Sequence, residues 1–147
     1  MIVERILPAA RKRLVTLDAG ARLSDAAVLL GRSDVGLLVV CDEGGLIAGV
    51  LTKTDLVRQM GRCHGRACTI AAQSVMSRDV ASCHRGDFLH EVWARMKQRG
   101  MKHIPVVERN GAPVGLLNAR DVIETLLGEV ESEELLLKDY VMSVGYQ

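Results

Sequence analysis

The sequence predicts a mixed α/β (α+β) protein built from two copies of one strand–helix–strand–strand–helix unit. The leading observation is that residues 49–55 (GVLTKTD) return 66 positions later as residues 115–121 (GLLNARD). Each copy follows an apolar run and ends in an acid before a second apolar stretch, which is the pattern of a strand, a turn and a helix. At the same shift, seven residues of 15–57 are identical, and they lie at turns, at core positions and at the acid. We therefore interpret the chain as a tandem repeat.

The first unit begins after a lead-in of residues 1–14. We predict a short helix over residues 2–7 that Pro8 breaks, because proline interrupts a helix interior. The basic cluster Arg11-Lys12-Arg13 is then a solvated turn, with a phosphate contact as the alternative. Residues 14–17 (LVTL) form a short strand, and the apolar positions 23, 26, 27 and 30 mark one face of the next helix.

A hairpin and a second helix complete the first unit. Residues 37–41 (LLVVC) are continuously apolar, as expected for a strand covered on both faces. Residues 42–45 (DEGG) form the hairpin turn and residues 46–51 the returning strand. The following helix carries Asp55 at its start and runs to about Met60.

The second unit repeats this plan after a linker that lacks clean periodicity. Shifted by 66, the apolar face of the first helix falls on four further residues, Leu89, Val92, Trp93 and Met96. The second hairpin carries Asn110-Gly111, a strong signal for a tight turn.

The tail beyond Gly128 is predicted to form a third, separate helix. Val130, Leu137 and Val141 form an apolar stripe on it, which packs on its own domain or on a twin chain, with a foreign partner as the alternative. The predicted domains are accordingly a first repeat with its lead-in (1–62), a linker (63–73), a second repeat (74–128) and a C-terminal helix (129–147).

Composition excludes several classes of function. A net charge of +1 and an aromatic content of 3% leave neither a basic surplus for nucleic acid nor rings for stacking bases. No apolar run approaches the roughly 20 residues that span a bilayer, and the N-terminus lacks a signal-peptide pattern. We expect no membrane partner and a cytoplasmic protein, in which the four cysteines are reduced thiols.

Asp55 and Asp121 are the candidate binding residues that the repeat itself points to. Each lies where a helix begins, and unpaired backbone N–H groups at such a place favour anions. A carboxylate there can accept two hydroxyl hydrogen bonds from a ribose. The alternative is that both acids only cap their helices. The sequence pairs no nucleophile with a base, so we expect no catalytic residue and no enzyme.

Cysteine and histidine residues offer a rival interpretation as a thiol or metal protein. The candidates are Cys63, His64, Cys68, Cys83 and His84. Zinc motifs usually contain two pairs of ligands, each pair at a set spacing. The spacing of these residues fits none of the standard motifs, so no metal is expected.

Taken together, the motifs resemble a tandem pair of cystathionine-β-synthase (CBS) domains, also called a Bateman module. The resemblance covers residues 1 to about 128 and rests on the two repeated segments, on residues 103–107 (HIPVV) and on residues 75–80 (VMSRDV). The tail also resembles the end of small stand-alone bacterial pairs. Such a resemblance implies two repeats packed by their sheets around a pseudo-two-fold axis, with two clefts between them.

The resemblance also implies a ligand and the residues that hold it. Members of the family commonly bind AMP, ADP, ATP or S-adenosylmethionine, and in some small pairs NAD(H). Carried over to this chain, the first cleft combines Thr52 and Asp55 with Ser82, Lys102 and His103. The second cleft combines Asn118 and Asp121 with Thr16, Ala21 and Leu37.

The two clefts are not expected to be equivalent. Lys102 supplies a positive charge for phosphate, and His103 adds one when it is protonated. The aligned residues of the second cleft are Gly36 and Leu37, so that cleft is expected to lack cations and Asn118 replaces the usual hydroxyl.

The function that follows from the resemblance is ligand sensing. An adenosine-containing nucleotide would bind between the repeats, and its occupancy would pass to an unidentified regulated protein or to the oligomeric state, expected to be a homodimer. The remaining alternative is an oligomerisation module whose clefts hold no ligand.

Overall fold

The computed structural model describes residues 1–62 and 69–145. Within these residues it has five α-helices and five strands. The helices are α1 (Leu7–Arg13), α2 (Leu23–Leu30), α3 (Lys53–Arg62), α4 (Leu89–Arg99) and α5 (Ala119–Gly145). The strands are β1 (Thr16–Asp18), β2 (Leu38–Cys41), β3 (Ile47–Leu51), β4 (His103–Val107) and β5 (Pro113–Asn118). The predicted mixed α and β architecture is confirmed.

The first repeat has the predicted order β1-α2-β2-β3-α3. Its sheet has the strand order β1-β2-β3, with β1 parallel and β3 antiparallel to β2. Asp42 holds the hairpin turn, because its carboxylate accepts hydrogen bonds from the backbone N–H groups of Gly44 and Leu46 at 2.9 and 3.0 Å. Gly45 closes the turn with a φ of 78°, a conformation that glycine adopts without steric cost.

The second repeat keeps this plan except at its first strand. Its named sheet contains β4 and β5, while the expected first strand is reduced to a single parallel bridge between Cys83 and Val106. In the first repeat the N–H of Val39 donates to the carbonyl of Val15 at 3.0 Å. Pro105 occupies the equivalent position and has no N–H, so the ladder loses that bond.

The lead-in differs from the prediction that Pro8 breaks a helix. Residues Val3–Ile6 form a 3-10 turn, and Pro8 lies in the first turn of α1. Proline is tolerated there because the N–H it lacks has no intrahelical partner in that turn. The basic residues Arg11, Lys12 and Arg13 are exposed as predicted, but they form the last turn of α1 and not a turn between elements.

Each lead-in packs on the opposite repeat. Val3, Leu7 and Ala10 belong to the core of the second repeat, whereas Ala72 and Met76 belong to the core of the first. A backbone hydrogen bond holds each lead-in against the opposite repeat. The N–H of Val3 donates to the carbonyl of Asp87 at 2.9 Å, and the N–H of Ala72 donates to the carbonyl of Ala21 at 2.8 Å. The two repeats are therefore interlocked by their N-terminal segments.

Gly49 and Gly115, the first residues of the repeated motif, allow the lead-ins to approach strands β3 and β5 closely. A Cβ added at Gly49 would lie 2.6 Å from Sδ of Met76, and one added at Gly115 would lie 2.9 Å from Cβ of Ala10. Ala10 and Met76 are themselves 66 residues apart, so the two contacts are equivalent. The repeated glycine thus serves a close approach rather than a turn.

A third apolar cluster joins the two sheets. It contains Leu37, Val39 and Cys41 around strand β2 of the first repeat, and Leu116 from strand β5 of the second. The intervening residues of β2, such as Leu38, pack into the first repeat's own core. Strand β2 is therefore covered on both faces, as its continuous apolar run predicts.

Helix α5 is continuous through Gly128 and does not restart there. A helical glycine costs about 1 kcal/mol relative to alanine, which the surrounding helix-forming residues offset. The N-terminal ammonium lies 3.8 Å from the carboxylate of Glu129, and every residue from Val130 to Met142 is exposed. No helix in the described part of the chain is long and apolar enough to cross a membrane.

Candidate functional site

A cavity of about 730 Å³ lies between the two repeats and corresponds to the first cleft. The first repeat contributes residues 36–37, Val50 and residues 52–55. The second repeat and its lead-in contribute Ser77, residues 79–81, residues 99–103 and Pro105. Its walls therefore belong to both repeats, so a bound molecule would contact both.

Thr52 and Asp55 form a hydrogen-bonded pair at the start of α3. The carboxylate oxygen Oδ2 of Asp55 accepts from the backbone N–H of Thr52 at 2.9 Å and from its hydroxyl at 3.1 Å. The N–H of Asp55 donates back to the Thr52 hydroxyl at 3.4 Å. This reciprocal arrangement is a capping box, in which both partners satisfy helix N-terminal donors. The capping interpretation of Asp55 therefore holds, and it places the carboxylate at the cavity wall.

Cations line the first cleft from both repeats. Lys102 is exposed at the edge of the cavity and Arg99 also lines it, both from the second repeat, whereas Lys53 lines it from the first repeat, next to Thr52. Arg99 was not anticipated, although it is the last residue of α4, and its guanidinium lies 3.5 Å from the carboxylate of Asp79. The lining of the cleft thus has three lysine and arginine side chains and two acids, Asp55 and Asp79.

His103 lies at the junction of the repeats. It begins β4, lines the first cleft and approaches Gly36 so closely that a Cβ there would lie 2.5 Å from its ring. Burial, followed by the charges of Arg13 and Lys102, lowers the pKa of His103 below its ordinary value. The imidazole is therefore neutral at pH 7 and offers hydrogen bonds rather than the charge that the sequence analysis considered.

The second repeated motif carries a different set of contacts. Asn118 Oδ1 accepts a hydrogen bond from the N–H of Arg120 at 2.8 Å. Asp121 instead accepts two hydrogen bonds from Arg13, from Nε to Oδ2 at 2.6 Å and from Nη2 to Oδ1 at 3.1 Å. The expectation that this cleft lacks cations is wrong, because α1 brings an arginine 108 residues distant in sequence to its acid.

Among the remaining candidate residues, Leu37 lines the first cleft. Thr16 is exposed at the start of β1, and the carbonyl of Ala21, beyond the other end of that strand, accepts from Ala72. Ser82 lies next to the first cleft, with its carbonyl 2.7 Å from Nη1 of Arg95, but the neighbouring Ala81 lines the cavity in its place. The ligand roles of these residues stay predictions.

A further cavity of about 760 Å³ lies at the outer end of the second repeat, away from both repeated motifs. Three of its charged residues, Arg85, Asp87 and Glu108, already have polar partners. Arg85 contacts Glu108 and Glu4, and Asp87 accepts a hydrogen bond from the backbone of His84 at 2.9 Å. Residues 36–55 do not line it, so we place the candidate site in the first cleft.

The thiol and metal interpretation gains no support from the described residues. No group of three or more metal-ligating side chains occurs among residues 1–62 and 69–145. Cys63, His64 and Cys68 lie outside the described residues. Cys83 is fully buried, and that burial raises its pKa to about 12, which keeps the thiol protonated and unreactive.

The interlocked repeats match one known family. The family model of the CBS domain matches residues 3–62 and again residues 72–128. The chain belongs to the CBS-domain family. Two matched copies in one chain, packed through their sheets, make it a tandem CBS pair, or Bateman module.

Curated relatives include both enzymes and short proteins. The chain is 25% identical over 108 residues to homoserine O-acetyltransferase of Methanosphaera stadtmanae, covering 74% of this CBS pair and 21% of that enzyme. It is 30% identical over 101 residues to arabinose 5-phosphate isomerase GutQ of Escherichia coli, and the match covers 69% of this chain and 31% of that enzyme. An uncharacterised 17.7 kDa protein of Acidianus ambivalens is 23% identical, and the match covers 80% of this chain and 70% of that protein. The CBS pair thus spans only a minor part of the two enzymes.

Solved structures share the fold. The CBS-domain containing protein ATU1752 of Agrobacterium tumefaciens has a TM-score of 0.71 and 24% identity, with 84% of this chain and 91% of that chain covered. The CBS domain pair of protein MJ0100, solved with 5′-methylthioadenosine and S-adenosyl-L-methionine, has a TM-score of 0.72 and 22% identity, with 88% and 98% covered. These likenesses show that this chain shares the fold of those proteins.

Proposed function

We propose that this CBS pair is a regulatory module that senses an adenosine-containing nucleotide, AMP, ADP, ATP or NAD(H), in the first cleft. The observation that carries the proposal is the shared wall of that cavity. Thr52 and Asp55 come from one repeat and Lys102 and His103 from the other. A ligand with a diol at one end and a phosphate at the other matches this distribution of charge.

Each wall of the first cleft has a role in the proposal. Asp55 accepts hydrogen bonds from the ribose hydroxyls while it caps α3. Lys102, assisted by Arg99, meets the phosphate. Leu37, Val50 and Pro105 supply the apolar contacts that a purine base needs. The neutral His103 donates or accepts one hydrogen bond at the base or ribose.

The mechanism is binding linkage rather than catalysis. A ligand that contacts both repeats favours the arrangement of the repeats in which both walls of the cleft reach it. It shifts the equilibrium between two such arrangements by the difference in its affinity for them. The interlocked lead-ins, residues 1–10 and 70–77, connect each wall to the opposite repeat. A shift would therefore reach the surface that a regulated protein or a second copy contacts.

The proposal is tested by finding a ligand. Mass spectrometry of small molecules released from the denatured protein should detect an adenosyl compound. Calorimetry with AMP, ATP, NAD and S-adenosylmethionine, together with 5′-methylthioadenosine because a protein of this fold was solved with it, should then show saturable binding. If no adenosyl compound binds, the module acts through oligomerisation alone.

We expect Lys102→Gln to weaken AMP by about tenfold while adenosine binding stays unchanged. The reason is that a hydrogen bond to a charged group contributes about 1.5 kcal/mol or more, and only AMP presents that charge. Lys97→Gln is the matched control, since Lys97 lies on α4 outside the cavity. Calorimetric titrations of the two ligands would check it. Equal losses for AMP and adenosine would contradict a phosphate contact at Lys102.

We also propose that the CBS pair forms a homodimer through the tail of α5. Val130, Leu137 and Val141 are 55, 64 and 61% exposed and lie on one stripe of the helix. Met96 and Trp93 of α4 do not add to this surface, because Met96 is fully buried in the core of the second repeat and Trp93 is half-buried against that core. The dimer contact is therefore placed on the tail alone.

Leu137→Glu is expected to convert the dimer to a monomer at micromolar concentration, because a buried unpaired carboxylate is costly. Ser132→Glu introduces the same charge about 200° around the helix from Val130 and should leave the dimer intact. Light scattering of both variants checks the prediction. A monomeric wild-type protein would refute it.

A further inference from the structure

We propose that Arg95 of α4 is a positioning residue for the first cleft. Its guanidinium holds the peptide group that joins Ser82 to Cys83, and this peptide group fixes the preceding residues 80–81 in the wall of the cavity. The effect on a ligand rests on the proposed function, because it needs an adenosyl compound in the cleft. The anchoring of the segment by Arg95 does not.

The need for an anchor arises at Pro105, which occupies the position that Val39 has in the first repeat. There the N–H of Val39 donates to the carbonyl of Val15 at 3.0 Å and joins the first strand of that repeat to β2. Pro105 has no N–H, so the carbonyl of Ala81 loses the equivalent bond. Residues 80–82 are accordingly not part of a strand.

Arg95 supplies a hydrogen bond in place of the one that is lost. Its Nη1 donates to the carbonyl of Ser82 at 2.7 Å. The N–H of the same peptide group belongs to Cys83 and donates to the carbonyl of Pro105 at 2.9 Å. One peptide group is therefore held by α4 on one side and by β4 on the other. The equivalent of Arg95 in α2 is Leu29, whose side chain has no donor.

The anchored peptide group directly follows the part of the segment that lines the cleft. Val80 and Ala81 line the cavity, whereas Arg95 is part-buried and is not among its lining residues. Arg95 therefore acts through the segment and not on the ligand. The cations Arg99 and Lys102 lie elsewhere, at the end of α4 and just before β4. A displaced segment should weaken contacts with the uncharged part of a nucleotide and leave its phosphate contacts in place.

The anchoring is tested in the free protein by amide hydrogen exchange, measured residue by residue with NMR. We expect Arg95→Met to speed exchange of the Cys83 amide by about tenfold, because the bond that is removed involves a charged donor. The amide of Val39, in the sheet of the first repeat, should keep its wild-type rate. Lys97→Met is the matched control, since Lys97 is a cation of the same helix that lies over Trp93 and outside the cavity.

Pro105→Val tests the link between the anchor and the missing ladder bond. It restores the N–H that Val39 provides in the first repeat, so the carbonyl of Ala81 regains a donor and the segment depends less on Arg95. In the wild-type protein we expect Arg95→Met to weaken adenosine and AMP equally, by about tenfold. In the Pro105→Val protein the same substitution should weaken both by less than about threefold. Calorimetric titrations of the four proteins measure these differences.

Each alternative result overturns a defined part of the inference. Unchanged exchange at Cys83, or equal acceleration at Cys83 and Val39, would refute a local anchor. A loss confined to AMP would mean that Arg95 meets the phosphate itself. Equal losses with and without Pro105→Val would refute the link to the missing bond. If exchange behaves as expected but no adenosyl compound binds any variant, the proposed function fails and the anchor stands.

Discussion

Replacing Gly49 with alanine is expected to lower the free energy of unfolding by about 1–3 kcal/mol, the range for overpacking a closely packed interior. The added Cβ would lie 2.6 Å from Sδ of Met76 and 2.7 Å from the backbone oxygen of Ser77. A side chain can turn aside, but the backbone of Ser77 is held by two hydrogen bonds with Val50, at 2.9 and 3.0 Å. The lead-in of the second repeat must therefore move.

Gly115→Ala tests the equivalent contact in the other repeat and should cost less. Its Cβ would meet Cβ of Ala10 at 2.9 Å and the nearest backbone atom at 3.2 Å. The matched control is Gly86→Ala, where nothing lies within 4 Å and the change should be neutral or slightly stabilising. Urea denaturation of the three variants measures the differences. If Gly49→Ala is as stable as Gly86→Ala, the lead-in of the second repeat does not pack as closely against β3 as described.

Asp55→Ala is expected to abolish most of the stabilisation that a nucleotide confers. A ligand at a hundredfold excess over its dissociation constant adds about 2.7 kcal/mol to the free energy of unfolding. Removing the carboxylate leaves the ribose hydroxyls unsatisfied in the cleft, at about 1–3 kcal/mol. The free protein should also lose about 0.5–2 kcal/mol, because Asp55 caps α3 together with Thr52.

The two losses separate when each variant is denatured with and without ligand. The capping loss is present in both measurements, whereas the ligand loss is the change in their difference. Asp25→Ala is the control, since Asp25 is a first-turn acid of α2 that does not line the first cleft. A variant Asp55→Ala that gains as much stability from AMP, ATP, NAD and S-adenosylmethionine as the wild type would place the ligand elsewhere.

The site was predictable where it depends on local sequence. Thr52 and Asp55 are three residues apart at the start of a helix, so their capping geometry follows from the helix itself. Lys102 and His103 precede an apolar strand, which places them at a strand edge. The cleft cation Arg99 carried only the weak signal of a basic residue at a helix end.

The fold class, the repeat and most of the elements could be predicted from the amino-acid sequence. Periodicity of apolar residues reports on one helix or one strand at a time, and the shift of 66 residues shows that the plan occurs twice. Its errors within the elements were local: Pro8 starts a helix instead of ending one, and Pro105 shortens a ladder.

How the repeats are joined could not be predicted and became apparent only in the folded chain. The exchange of lead-ins buries Leu7 and Met76 in opposite cores, and it explains why Gly49 and Gly115 recur. The same exchange carries Arg13 to Asp121. The physical reason is that these contacts join residues far apart in the chain, and their partners are chosen by the packing of whole elements rather than by any local pattern of residues.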